Sequence, residues 1–134
     1  MTITMFRAKL HGLRVTDADL YYEGSITIDE ELLELAGILP YEKVQVVNVN
    51  NGDRLETYTI PGKRGSRIVC LNGPAARRAV RGDQVLVIAY AQMTPEEALQ
   101  HRARVVLVSE KNDPQQVLEY AVSPSTTVEN GIKV

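Results

Sequence analysis

The chain has 134 residues, 44% of them hydrophobic and 24% charged, with a formal net charge of −2. That is the size of one ordinary domain, large enough to bury a core without disulfides or metal. The slightly acidic balance argues against a protein that lives by binding phosphate backbones, since such domains usually carry a basic excess.

Short β-rich runs dominate in chain order. Met5 to Val15 reads as a strand, and Ser25 to Ile28 as a short one. Asp29 can cap a helix over Glu30 to Ala36, with Glu30 and Glu31 at its positive end and Gly37 as its stop. Strands over Val44 to Val49 and Leu55 to Ile60 flank Asn50-Asn51-Gly52-Asp53, a hairpin signal because Asn and Gly tolerate positive φ. Arg67 to Leu71 is a further strand. Gly73-Pro74 starts a short helix through Val80, since proline fits the first helical position. Gln84 to Gln92 follows, apolar at every position from Val85 to Ala89, as in a strand covered on both sides. Thr94-Pro95-Glu96-Glu97 is a capping-box start, and Ala103 to Ser109 a last strand. Many strands with few helices predict a compact β-barrel in a single domain, residues 1–134. From Asn112 the sequence turns polar, so a loosely held tail is expected over roughly 119–134.

Most routes to chemistry close early. One cysteine, Cys70, excludes an internal disulfide; in its apolar run it reads as a buried structural thiol. Two histidines, His11 and His101, without metal-ligand spacing exclude a closed zinc site. Gly62-Lys63-Arg64-Gly65-Ser66 lacks phosphate-loop spacing and reads as a turn. The cluster Arg77, Arg78 and Arg81 reads as a solvated helix face. No signal-peptide core and no apolar run near the ~20 residues of a membrane span are visible, so the expectation is cytoplasmic, with no membrane partner.

What remains is a scatter of polar residues. Lys9 and His11 share one face of a strand, as do Arg54, Glu56 and Tyr58. Asn72 and Gly73 precede a short helix whose free N–H groups could hold an anion. Gly24-Ser25 is ordinary turn chemistry, yet it permits one unusual event. The Ser25 hydroxyl can attack the Gly24 carbonyl, where the missing Cβ leaves room for approach. Taken singly, each of these residues is more often a solubilising charge or a half-buried strand residue than a functional group.

In order along the chain stand Lys9-Leu10-His11, Val15-Thr16-Asp17-Ala18-Asp19-Leu20 and Tyr22-Glu23-Gly24-Ser25. Ala36-Gly37-Ile38-Leu39, Asn51-Gly52, Arg54, Thr57-Tyr58, Arg64-Gly65-Ser66-Arg67-Ile68, Asn72-Gly73 and Gly82-Asp83 follow. With this spacing, Met5 to Ala91 resembles the bacterial aspartate 1-decarboxylases. The resemblance implies a double-psi β-barrel, a homotetramer with active sites between subunits, and self-cleavage into residues 1–24 and 25–134. It implies decarboxylation of L-aspartate to β-alanine for pantothenate and coenzyme A synthesis.

The same resemblance assigns roles. Ser25 becomes a covalent pyruvoyl group, which forms a Schiff base with the substrate and takes up electrons as pyridoxal phosphate does elsewhere, so neither pyridoxal phosphate nor metal is expected. Tyr58 is the proton donor. Arg54 and Lys9 bind substrate carboxylate, and Thr57, Asn72, Gly73, Pro74 and Ala75 complete the pocket. Gly24, Ser25, Thr57, Tyr22 and His11 serve processing. Some members of the family use a separate maturation protein, which the resemblance leaves open for this chain. Two positions depart from the family: Pro74 replaces a small residue such as Ala and has no N–H to donate, and Tyr21 replaces a common His. Thr57 and Tyr58 are consecutive, so a regular strand points them to opposite faces. The competing reading is a swapped-hairpin DNA-binding barrel, from the strand-helix-Gly-strand order of Ser25 to Asn51.

Overall fold

The computed structural model describes residues 1–20 and 24–122. Nine strands and two short α-helices are ordered β1 (Ile3–Arg14), β2 (Asp17–Asp19), β3 (Ser25–Asp29), α1 (Glu30–Ala36), β4 (Lys43–Asn48) and β5 (Arg54–Gly62). β6 (Val69–Asn72), a 3₁₀ helix (Gly73–Arg78), β7 (Gln84–Met93), α2 (Pro95–Gln100), β8 (Arg102–Val108) and β9 (Pro114–Ala121) follow. The strands form one sheet in the order β2-β6-β3-β5-β4-β7-β1-β8-β9. Residues from both halves of that order, among them Ile26, Leu71, Val46, Val87, Leu10 and Val106, join one buried cluster with Leu32 and Leu33 of α1. A sheet that feeds one core from so many strands is rolled on itself, which agrees with the expected mainly β, barrel-like fold.

Local chemistry explains the elements. Asp29 accepts from the Glu31 N–H at 2.9 Å and caps α1. Gly37 closes the helix in the left-handed region at φ 74°. Gly52, at φ 78°, turns the β4–β5 hairpin, which pairs Val47 with Arg54. The capping box of α2 is complete, with Glu97 N–H on Thr94 Oγ1 at 3.1 Å and Thr94 N–H on Glu97 Oε1 at 2.8 Å. The helix expected from Gly73 is a six-residue 3₁₀ helix.

Three features differ from the sequence reading. β7 alternates: Val85, Val87 and Ala89 are buried, while Leu86 and Ile88 are only half-buried. β2 is a short strand parallel to β6. β9 pairs antiparallel with β8 through Ala121, so residues 119–121, expected in a loose tail, lie in a strand; residues 123–134 are outside the described residues. The turn leading into β9 is held by Asn112, 1% exposed. It accepts from the Arg14 N–H at 2.7 Å and donates to the Arg14 and Arg67 carbonyls at 2.9 and 3.0 Å.

Candidate active site

Ser25 opens β3 and is fully buried. β3 pairs antiparallel with β6, setting Ser25 opposite Asn72 and Thr27 opposite Cys70. Alternate residues of these strands, Ile26, Ile28, Val69 and Leu71, enter the core, so the other four form a polar row on the opposite face. The Asn72 amide donates to Ser25 Oγ at 2.8 Å and to Thr27 Oγ1 at 2.9 Å. Its carbonyl oxygen accepts from the Cys70 thiol at 3.2 Å.

In front of this row lies a cleft of about 430 Å³, lined by Gly24, Leu55, Glu56, Thr57, Tyr58, Pro74, Ala75 and Arg78. Its geometry explains how two consecutive residues reach one site. β5 pairs with β4 through Arg54 to Tyr58, but its pairing with β3 begins only at Thr59. Before Thr59 the cleft runs along that edge of β5, where Thr57 on one face and Tyr58 on the other can both line it. Pro74 sits against Gly24, where an added Cβ would stand 3.6 Å from Pro74 Cδ.

The cations are distributed differently. Arg54 is exposed on the β5 face that carries Glu56 and Tyr58, its guanidinium 3.5 Å from Gln45 Oε1. Lys9 and His11 share a face of β1, half-buried. Across the sheet His11, Leu86, Val47 and Arg54 stand in one cross-strand row, and Lys9, Ile88, Gln45 and Glu56 in the next. Three strand spacings, about 14 Å, therefore separate β1 from β5. That is more than a lysine side chain spans, so one chain does not bring Lys9 to the cleft. Burial lowers the pKa of Lys9. Burial first, and the Lys9 charge second, lower that of His11 and favour its neutral form.

The expected site residues thus fall into three places. Ser25 and Asn72 are sealed behind the cleft; Gly24, Thr57, Tyr58, Pro74 and Ala75 line it, with Gly73 buried at φ 62° beside them. Lys9, His11 and Arg54 lie on the outer sheet face. Tyr22 is outside the described residues. Other residues were not expected here: Leu55 and Glu56 line the cleft, and Thr27 is partnered to Asn72. Arg78, read as part of a solvated helix face, lines the cleft, and Cys70 is partnered to Asn72. The alternation of β6 was the signal for Cys70, because it shares a face with Asn72. Among the described residues no group of three or more His, Cys, Asp or Glu side chains is placed to hold a metal.

A buried serine hydroxyl held by an amide, after a glycine that opens on a tyrosine-lined cleft, suits acyl transfer within the chain followed by proton transfer to a bound molecule. Comparison with known proteins gives the family. Residues 1–115 match the family model described as aspartate decarboxylase. An aspartate 1-decarboxylase of Salinibacter ruber is 74% identical over 113 residues, covering 84% of this chain and 77% of the relative. That of Chloroherpeton thalassium is 56% identical over 119 residues, 89% of this chain and 88% of the relative. That of Bacillus subtilis is 54% identical over 115 residues, 86% and 91%. A match over most of the chain, at such identity and on such a site, means that the chain belongs to the aspartate decarboxylase family.

Proposed function

We propose that this chain decarboxylates L-aspartate to β-alanine, which feeds pantothenate and coenzyme A synthesis, using a pyruvoyl group that it makes from its own Ser25. The observation that carries the reading is the buried Ser25 hydroxyl, held by Asn72 next to a glycine on the wall of the cleft. Family membership sets aside the DNA-binding alternative.

In the self-cleavage step, Ser25 Oγ attacks the Gly24 carbonyl carbon. The Gly24–Ser25 C–N bond breaks, and the hydroxyl proton ends on the new Ser25 amine, leaving an ester. Loss of the Ser25 Cα proton with cleavage of the Cβ–O bond frees the Gly24 carboxylate. Water then replaces nitrogen at Cα, releasing ammonia and leaving a ketone at the head of residues 25–134. Thr57, lining the cleft beside Gly24, is placed to assist at the Gly24 carbonyl.

The residues around position 25 fit such a group: a buried N–H donor is already aimed at the Ser25 oxygen, and the adjoining cleft is open. The group supplies an electron sink for the pair left when the α-carboxylate departs. The chain's own residues do the rest. Tyr58 lines the cleft and delivers a proton to the substrate Cα. Arg54 grips the retained carboxylate, for which its planar fork suits two parallel hydrogen bonds. Asn72 and the backbone at Gly73 and Ala75 bound the pocket, Pro74 contributing packing without an N–H.

Lys9 and His11 belong to the same site only if a neighbouring copy supplies them. The three-strand separation within one chain supports an intersubunit site in a homotetramer. The half-buried Leu86, Ile88 and Val47 between them suit a face that a second copy covers. The parallel pairings of β3 with β5 and β1 with β8 support a double-psi barrel. A cytoplasmic location completes the reading. A maturation protein that assists cleavage is compatible with it.

The test is direct. Purified protein given L-aspartate should release β-alanine, and borohydride reduction during turnover should attach the substrate to residues 25–134. Turnover that leaves no such adduct would contradict the pyruvoyl assignment.

A further inference from the structure

Cys70 is a buried thiol that the chemistry above does not use. It is 8% exposed, and it lies on the same face of β6 as Asn72. Its thiol meets the Asn72 carbonyl oxygen at 3.2 Å; the alternative acceptor, the Leu71 carbonyl, is at 3.9 Å. The Asn72 oxygen is the nearer of the two acceptors, so the S–H points at Asn72. Burial first, then the Asp17 and Asp19 charges, push the thiol pKa up, so the group stays a donor.

An asparagine amide has a donor end and an acceptor end of nearly equal shape, and its neighbours decide which way it faces. Ser25 and Thr27 do not decide it, because hydroxyls can donate or accept. Cys70 does: a thiol is a poor acceptor, so an amide turned to face it with its NH2 would lose a partner. We propose that Cys70 is a positioning residue for self-cleavage: by donating to the Asn72 carbonyl oxygen, it locks the Asn72 NH2 onto Ser25 Oγ. That NH2 fills one lone-pair position of the hydroxyl and so holds Oγ in place for attack on the Gly24 carbonyl. It also stabilises negative charge gathering on Oγ as its proton leaves.

The inference rests on the self-cleavage reading, and the experiment separates the two. The full chain is synthesised cell-free and its cleavage followed by intact mass. Cys70→Ala and Cys70→Val, which remove the donor, should slow cleavage about three- to tenfold, while Cys70→Ser, which keeps one, should stay within about twofold of wild type. Valine and serine keep the site filled, and thermal unfolding of each variant shows that it folds. In an Asn72→Ala background, Cys70→Ala should add no further slowing, because its effect passes through that amide. Wild-type rates in Cys70→Ala and Cys70→Val would overturn the proposal. So would a serine variant as slow as alanine, or undiminished slowing in the Asn72→Ala background. A wild-type chain that never cleaves would remove the self-cleavage reading itself, and this inference with it.

Discussion

Cys70, Asn72 and Ser25 are buried within one chain, with half-buried Thr27 beside them, whereas Lys9, His11, Arg54 and Tyr58 stand half-exposed or exposed across a face of four strands. In the first region every side-chain polar atom of Asn72 has a named partner. In the second, the His11 Nδ1 is buried without a hydrogen-bond partner, and the Arg54 contact is long, at 3.5 Å. On the proposed function, the difference separates two tasks. Cutting the chain needs rigid placement of groups already covalently joined. Turning over a free amino acid needs groups that wait for a partner, whether substrate or a second copy.

Variants on either side should therefore fail in different ways. The largest effect belongs to Ser25→Ala, which should stay one intact chain and make no β-alanine; cleavage of that variant at Gly24 would break the comparison at once. Tyr58→Phe should cleave normally but lose about a hundredfold or more in kcat, the usual range for removing a general acid. Loss of cleavage there would show that the outer region shares the first task. Arg54→Ala should lose about tenfold to a hundredfold in kcat/KM, the worth of hydrogen bonds to a charged group, again with cleavage intact. Mixing the weakened Lys9→Ala and Arg54→Ala chains should raise activity above that of either variant alone, because some sites then draw neither change. No recovery after demonstrated subunit exchange would place both residues in one chain's site.

A smaller effect concerns the scaffold. Buried Asp29 accepts the backbone N–H groups of Glu31, Gly65 and Arg67 and pairs with the Arg67 guanidinium at 3.0 Å. Burial alone would raise its pKa, but these donors together hold it below its ordinary value of 3.8. Folding thus opposes protonation of Asp29, so its stabilisation is present above that pH and is lost as the pH falls through the folded value. Asp29→Asn should cost about 3 kcal/mol in denaturant unfolding at neutral pH, and its Tm should fall less than wild type's below pH 3.8. An unchanged acid slope would assign the loss to other carboxylates.

Much of this was legible in the sequence where one residue carries a strong local rule. Asp29, Gly37, Gly52 and Thr94 fixed the ends of their elements because caps and positive-φ turns are chemistry within a few residues. β9 was not legible. Its polarity reads as solvent contact, and the residue that anchors its approach, Asn112, is polar because it satisfies backbone groups of Arg14 and Arg67 far away in sequence. Ser25, Asn72, Thr57 and Tyr58 could be selected only by family spacing. Composition gave no hint that β5 loses its β3 neighbour just before Thr59, which is what lets Thr57 and Tyr58 line one cleft. Arg78 was misread for the same reason: a charged residue on a short helix looks solvated until the cleft beside it is seen.

The most direct test of the account is the mass of freshly purified protein, read with N-terminal sequencing. It should give two fragments, residues 1–24 and 25–134, the larger blocked at its N-terminus and short of the mass expected for a free serine. A single intact chain with full decarboxylase activity would contradict the central claim.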